Sequence, residues 1–442
     1  MKWLHMMQKE IRTEWVGDLI RKITLVAMLG ATSAVQAQTV FAPSEKAGAL
    51  VQYELLVERD VNSLLKWADT RGYGEITRND TLGVLLESVV EYPVDFYRLE
   101  YMTPDGETMV KASGLVMVPK AKRDAWPLVG YQHGTIMPAN RLSCPSNYGN
   151  HKRGSSRRSS LEVNLVGAMM ASHGYVVAMP DYLGYGASED LPIRYTYTPS
   201  LAAASRDMLR ATREFCQLEH IGLSEELFLA GWSEGAGATM ALHRLLQNAH
   251  AEEFTVTAQS SLSGFYHYSR MIPTFAKNPN KVFFAPLYMW SAWVLNQQDE
   301  DLQLPADSLF QHHYRRMPEG LTSLWTFGFR KKTSESLLHP ALRQRFLEGQ
   351  APEWADAVKI NNHYDWRPAA PVFLHHGKRD PILPYFHSND AYVAMAMRGA
   401  PVKLYTYPKD NHWTMVDSYL VQTLIDFDAL LGKSVQVPVS SP

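Results

Sequence analysis

An α/β fold, a mostly parallel doubly wound sheet, is what this sequence predicts. Three observations carry it. Short apolar runs alternate with helix-like stretches along most of the chain. One such junction holds Gly231-Trp232-Ser233-Glu234-Gly235, with an apolar run before it and a small-residue run after it. The alternation breaks once, between about Gly264 and Trp366, and then resumes. A chain of 442 residues that is 46% hydrophobic and 20% charged has ample apolar material for a large core.

The elements follow in order. Residues 45 to 92 read as helical, with polar and apolar positions mixed. Phe96–Met102 reads as an edge-side strand, Thr103-Pro104-Asp105-Gly106 as a turn, and Val110–Val118 as the returning strand of a hairpin. Pro127–His133 begins as a continuous apolar run, as a strand buried on both faces requires. A long loop leads to a helix-like stretch, Leu161–Ser172, and to a fourth strand, Tyr175–Pro180. The helix Leu201–Leu218 precedes the strand at Leu227 and the serine turn, and Phe254–Ser261 is the sixth strand. Residues 264–366 are rich in Trp, Tyr and Phe without a strand pattern, and read as an inserted helical subdomain. Pro371–Gly377, helix His387–Arg398, strand Val402–Tyr407 and helix Met415–Leu431 then restore the rhythm. Residues 433–442 form a loose tail rich in Ser and Pro.

The amino end reads as a processing signal. Arg21-Lys22 precede the apolar run Ile23–Gly30, and small residues lead to Val35-Gln36-Ala37 with Gln38 next. A basic region, a short apolar run and a small-x-small site describe a secretory signal peptide over 1–37. The run is too short to span a bilayer, which takes about 20 residues. The stretch ahead of Arg21 is long for such a signal; an unused upstream start or an uncleaved anchor would explain it. The destination is therefore secreted or periplasmic. Cys144 and Cys216 are the two cysteines; in an exported chain they can pair, and buried free thiols are the alternative. Neither has a metal-ligand spacing, and no Cys/His cluster suggests zinc. A formal net charge of -2 points to no nucleic-acid partner. Lys152-Arg153 and Arg157-Arg158 make one basic, Ser-rich patch, read as a solvated loop with a phosphate site as the lesser alternative.

The chemistry centres on Ser233. A serine on a sharp strand-to-helix turn has its hydroxyl pushed clear of the backbone. Serine needs a base to take its proton and a carboxylate to orient that base. Strand ends converge on one crevice, so the partners belong just after later strands. Asp380 sits there in Gly377-Lys378-Arg379-Asp380-Pro381, and His412 in Asp410-Asn411-His412-Trp413 just before the last helix. Thirty-two residues separate them, enough for one helix and one strand. Asp410 competes for the acid but lies on the same loop as His412. His339, His375, His376 and His387 compete for the base from the insertion or from ahead of the last strand. An oxyanion needs two N–H donors: the amide of Glu234, after the nucleophile, and that of Thr135 in Gln132-His133-Gly134-Thr135, in preference to Gly134. Asp181 reads as structural, holding the Gly-rich loop that follows it.

Tyr131-Gln132-His133-Gly134-Thr135, Pro180-Asp181-Tyr182-Leu183-Gly184-Tyr185-Gly186, Gly231-Trp232-Ser233-Glu234-Gly235 and the Gly377–Asp380 loop together resemble the α/β-hydrolases, most closely the secretory, fungal lipase A-like lipases and esterases. The resemblance runs from about Phe96 to Leu431 and thins over the insertion. It implies an α/β-hydrolase domain over 38–263 and 367–432, with a helical lid, 264–366, inserted after the sixth strand and covering an acyl pocket. It also implies a triad of Ser233, Asp380 and His412. The expected activity is hydrolysis of a small-molecule or lipid ester without metal or organic cofactor. Contact with a lipid interface through the lid is expected, and no protein partner. A serine peptidase of the prolyl-oligopeptidase type shares the order Ser, Asp, His but carries a large propeller, for which the amino-terminal segment is too short. A silent hydrolase fold used for binding would lack a triad member, and none is missing.

Overall fold

The computed structural model describes residues 39–40, 46–68, 89–149, 161–312 and 332–433. The signal segment, the basic Ser-rich patch, Trp325, Phe327, Phe329 and the tail after Lys433 lie outside these residues. The strands are β1 (Thr39–Val40), β2 (Leu50–Arg59), β3 (Val94–Asp105), β4 (Thr108–Pro119), β5 (Trp126–Gln132), β6 (Val176–Pro180), β7 (Leu223–Trp232), β8 (Val256–Leu262), β9 (Val372–Gly377) and β10 (Val402–Tyr407). From β2 the sheet runs β2-β3-β4-β6-β5-β7-β8-β9-β10. The pairs β2–β3, β3–β4 and β4–β6 are antiparallel. All pairs from β6 across to β10 are parallel.

One expectation fails at the start. Leu50–Arg59 was expected to be helical and is a strand, paired antiparallel with β3 and carrying two register shifts. Each bulge moves the side-chain alternation by one, so the sequence shows no clean period of two. The helix expected in this region is limited, among the described residues, to Val61–Ala68 and a single helical residue at Val89. The insertion follows β8, the strand counted sixth in the sequence before β1 and β2 are added ahead of it.

The inner parallel strands are buried on both faces, and β7 shows how, whereas β10 at the edge is only half-buried. Leu227 and Leu229 pack with Met208, Leu209 and Phe215 of the helix Thr198–Leu218. Phe228 and Ala230 point the other way, toward Tyr419, Leu424 and Phe427 of the helix Val416–Leu430. Each fully buried side chain of this size contributes about 1.5–3 kcal/mol, and helices on both faces explain why the strand reads as unbroken apolar sequence. Cys144 and Cys216 are free, buried, and in different apolar clusters, so the expected pairing does not form.

The insertion is helical, with Tyr268–Lys277, Ala285–Gln298, Pro340–Glu348 and Pro352–Ala357 as its longer elements. Trp290, Trp354, Phe310 and Phe346 form its interior rather than a wall open to substrate. It is tied to the sheet domain by Tyr195 stacked on Trp290 at 3.9 Å, by Thr196 Oγ1 at 2.6 Å from Ser291 Oγ, and by Tyr288, whose hydroxyl donates to the Ile382 carbonyl. No helix among the described residues is long and apolar enough to cross a membrane.

Candidate active site

The ends of β5, β7, β9 and β10 deliver four loops to one edge of the sheet. Ser233 sits between β7 and the helix Glu234–Ala249 with φ 59° and ψ −119°. This backbone conformation costs about 1–3 kcal/mol for a residue with a side chain. The turn closes only because its neighbours are small: a Cβ on Gly235 would lie 1.9 Å from the Gln132 carbonyl oxygen.

His412, on the loop after β10, bridges the other two residues. Its Nε2 lies 3.0 Å from Ser233 Oγ and its Nδ1 lies 2.7 Å from Asp380 Oδ2. The Asp380 side chain is 1% exposed. Its second oxygen, Oδ1, accepts the amides of Ile382 at 2.8 Å and Leu383 at 2.9 Å. Burial acts to raise this carboxyl, but the charge and hydrogen bond of His412 outweigh it and hold the group below its ordinary value. The competing groups are committed elsewhere. Asp410 accepts from the Thr414 hydroxyl, and His339 accepts the Ala341 amide at a helix start. His375 lies against Tyr407 and Ser260, and His387 accepts the amides of Tyr266 and His267. His376 contacts Ser388 and the Leu383 carbonyl rather than Ser233, and its Nε2 lies 3.6 Å from Asp380 Oδ2.

The Thr135 and Glu234 amides have no acceptor among the described residues, whereas the Gly134 amide is taken by Glu162. Asp181 accepts from the Ser113 hydroxyl and the Ser146 amide, a structural position. Among the described residues no cluster of His, Cys, Asp and Glu could hold a metal ion. A cleft of about 300 Å³ opens beside Asp380, lined by Phe275, Val282, Phe283, Tyr288, Ile382 and Phe386 among others. Met271, Phe275 and Tyr288 also line a smaller apolar cavity inside the insertion, of about 30 Å³.

The family model of the serine aminopeptidases, S33, matches residues 157–418, more than half of the chain. The chain belongs to that family. Its fold is the α/β-hydrolase fold. A putative hydrolase of Legionella pneumophila is similar, with a TM-score of 0.73 and 23% identity over 86% of this chain and 98% of that one. A mutant of the rice cell wall degrading esterase LipA of Xanthomonas oryzae gives 0.71 and 21%, over 88% and 100%. Candida antarctica lipase A gives 0.63 and 17%, over 90% and 85%. No curated protein matches this α/β-hydrolase in sequence.

One buried carboxyl group of this hydrolase, that of Glu234, is not foreseen from its sequence. Glu234 is expected to offer its amide alone; its side chain accepts the Thr196 amide at 2.9 Å. Burial pushes this carboxyl up to about 8, against the hydrogen bond from the Thr196 amide. A raised carboxyl favours the folded state below its ordinary value of 4.5 and loses that contribution as pH rises through about 8. Wild-type melting temperature is therefore expected to fall between pH 7 and 9, and Glu234→Gln to lose less over that interval. Thermal melts across that range check this; equal losses in both proteins would remove the carboxyl from the account.

Proposed function

We propose that the chain is an exported serine hydrolase that cleaves carboxylic esters through an acyl-enzyme on Ser233. The observation that carries the reading is His412, in hydrogen-bond reach of Ser233 Oγ on one side and of Asp380 on the other. Ser233 Oγ attacks the acyl carbon while His412 Nε2 takes its proton. The Thr135 and Glu234 amides stabilise the oxyanion. The tetrahedral species collapses, the ester C–O bond breaks, and His412 returns the proton to the leaving alcohol. His412 then takes a proton from water, which attacks the acyl carbon; the Ser233 Oγ–acyl bond breaks, His412 returns the proton to Ser233 Oγ, and the acid leaves. Asp380 holds the Nδ1–H tautomer and stabilises the imidazolium. The cleft beside Asp380, with Phe275, Phe283 and Tyr288 next to Asn278 and Lys281, offers an ester apolar and polar surface, and esterases and a lipase stand among the similar structures.

The family's own description favours a second reading, release of amino-terminal residues from peptides. Such a substrate brings an ammonium group that needs a free carboxylate. Glu162 and Glu234, the carboxyls around the nucleophile and the Thr135 loop, already accept donors from the chain, and Glu234 is raised to about 8. This argues for the ester. The purified protein should turn over p-nitrophenyl acetate and butyrate and leave alanine and proline p-nitroanilides intact. Faster release from the anilides would reverse the order of the two readings.

Export rests on Arg21-Lys22, the apolar run Ile23–Gly30 and the small residues at Val35 and Ala37. Mass spectrometry of the protein made in a secreting host should find Gln38 at the amino end. A mature protein that retains residues 1–37 would sink the cleaved-signal proposal.

A further inference from the structure

The Thr135 loop has two consecutive amides, and only one of them is left for a substrate. Gly134 N–H donates to both oxygens of Glu162, at 2.9 and 3.0 Å. Tyr131, buried on β5, donates its hydroxyl to the same carboxylate at 2.8 Å. An ionised carboxylate only accepts, so it can hold both donors at once. The loop is confined from the other side as well. A Cβ on Gly134 would lie 3.1 Å from Glu162 Oε1, 3.2 Å from the Trp232 carbonyl oxygen and 3.5 Å from Ser233 Cβ. Gly134 is therefore packed between the Glu162 carboxylate and the nucleophile turn. The loop carbonyls are fixed too: Tyr182 donates to that of His133 at 3.1 Å, His133 Nδ1 to that of Gly134 at 2.7 Å, and Tyr185 to that of Ile136 at 2.5 Å.

We propose that Glu162 is a positioning residue for the oxyanion site: by taking the Gly134 amide it fixes the peptide orientation that leaves the Thr135 amide free for the oxyanion. The inference rests on the serine-hydrolase reading and adds a residue to it. Glu162 touches no reacting atom; it holds the His133–Gly134 peptide, and through the Gly134 backbone it orients the next peptide, which carries the Thr135 N–H. Without it the Gly134 N–H is unpaired, and the bonds to the His133 and Gly134 carbonyls alone must hold a glycine whose backbone has a wide range. Burial pushes the carboxyl up to about 7, so its charge changes within the working range. The charged form makes the stronger hydrogen bonds, and the hold on Gly134 strengthens as pH rises through that value.

The test uses the full chain with a p-nitrophenyl ester and a trifluoromethyl ketone, whose adduct with serine carries an oxyanion. Glu162→Ala should lower kcat on the order of 10–100-fold, near the effect of losing one oxyanion donor. KM should stay within about threefold, because the donor acts on the transition state. The inhibition constant of the ketone should rise in parallel with the loss in kcat. Glu162→Gln keeps a carbonyl acceptor but no titrating group, so it should retain most of kcat at pH 8 and lose the change in kcat between pH 6 and 8 that the carboxylate contributes. An unchanged kcat in a folded Glu162→Ala variant overturns the inference, and so does a fall in kcat with no loss of ketone affinity. If that variant does not fold, Glu162→Gln decides, and a pH profile identical to wild type overturns the inference. Ser233→Ala separates the two levels. Its inactivity beside a fully active Glu162→Ala removes only the role of Glu162, whereas full activity in Ser233→Ala removes the reading beneath it.

Discussion

Ser233→Ala should lower kcat on p-nitrophenyl esters by about a millionfold, the order seen when a serine nucleophile is removed from such a relay. The substitution takes away the attacking oxygen and leaves everything else in place. His412 keeps its bond to Asp380, and the Thr135 and Glu234 amides keep their positions. Substrate affinity should change little, so the loss should fall on kcat. Melting temperature should also move little: the strain at φ 59° belongs to the Cβ, which alanine retains. Stopped assays with and without a phosphonate that labels serine check both points. Wild-type protein should be inactivated with one label per chain, and the variant should take none. A variant that keeps more than a few per cent of wild-type kcat would remove Ser233 from the mechanism.

The second large effect is expected at Asp380. Asp380→Asn should lower kcat about ten-thousandfold, a change of roughly 5.5 kcal/mol in transition-state stabilisation. The direction follows from the hydrogen bonds. Oδ1 accepts two amides, from Ile382 and Leu383, so the oxygen of the new amide must face them. Its NH2 then faces His412 Nδ1, which has to accept. The ring proton moves to Nε2, where it meets Ser233 Oγ as a donor and cannot take the serine proton. Stability responds as well. The lowered carboxyl of Asp380 favours the folded state above its ordinary value of 3.8 and loses that contribution as pH falls through the folded value. The variant lacks it at every pH, so its urea midpoint should be lower near neutrality and should approach that of wild type on acidification. Rate measurements on a short ester and urea titrations from pH 7 to 3 read both effects. A variant with kcat within tenfold of wild type would show that Asp380 does not set the His412 tautomer.

Sequence gave good access to some of this molecule, for reasons that are local. The turn around Ser233 needs particular small residues within a few positions, so its motif can be read directly. Parallel strands buried on both faces appear as continuous apolar runs, and β5, β7 and β9 were legible for that reason. Asp380 and His412 could be placed because a strand end is a local event even when the crevice it serves is not. What escaped is non-local or irregular. The two bulges of β2 erase its alternation. Glu162 meets Gly134 and Tyr131 across 28 and 31 residues, and nothing beside it in the chain marks it out. Two cysteines in an exported chain suggest a bridge by count alone, but only packing shows that Cys144 and Cys216 lie in separate clusters.

The pairing of β8 with β9 has a consequence for how such a chain can change. Leu262 and His375 are register partners on adjacent parallel strands, although the whole insertion lies between them in sequence. The segment therefore leaves the sheet and returns to the neighbouring strand. Loop-closure cost grows only slowly with length, so a shorter or longer segment could be spliced there with little demand on the sheet. Ser233, Asp380 and His412 stand on strand ends that such a graft leaves untouched. On the proposed mechanism the reacting groups would be inherited unchanged while the segment beside them is exchanged as a cassette.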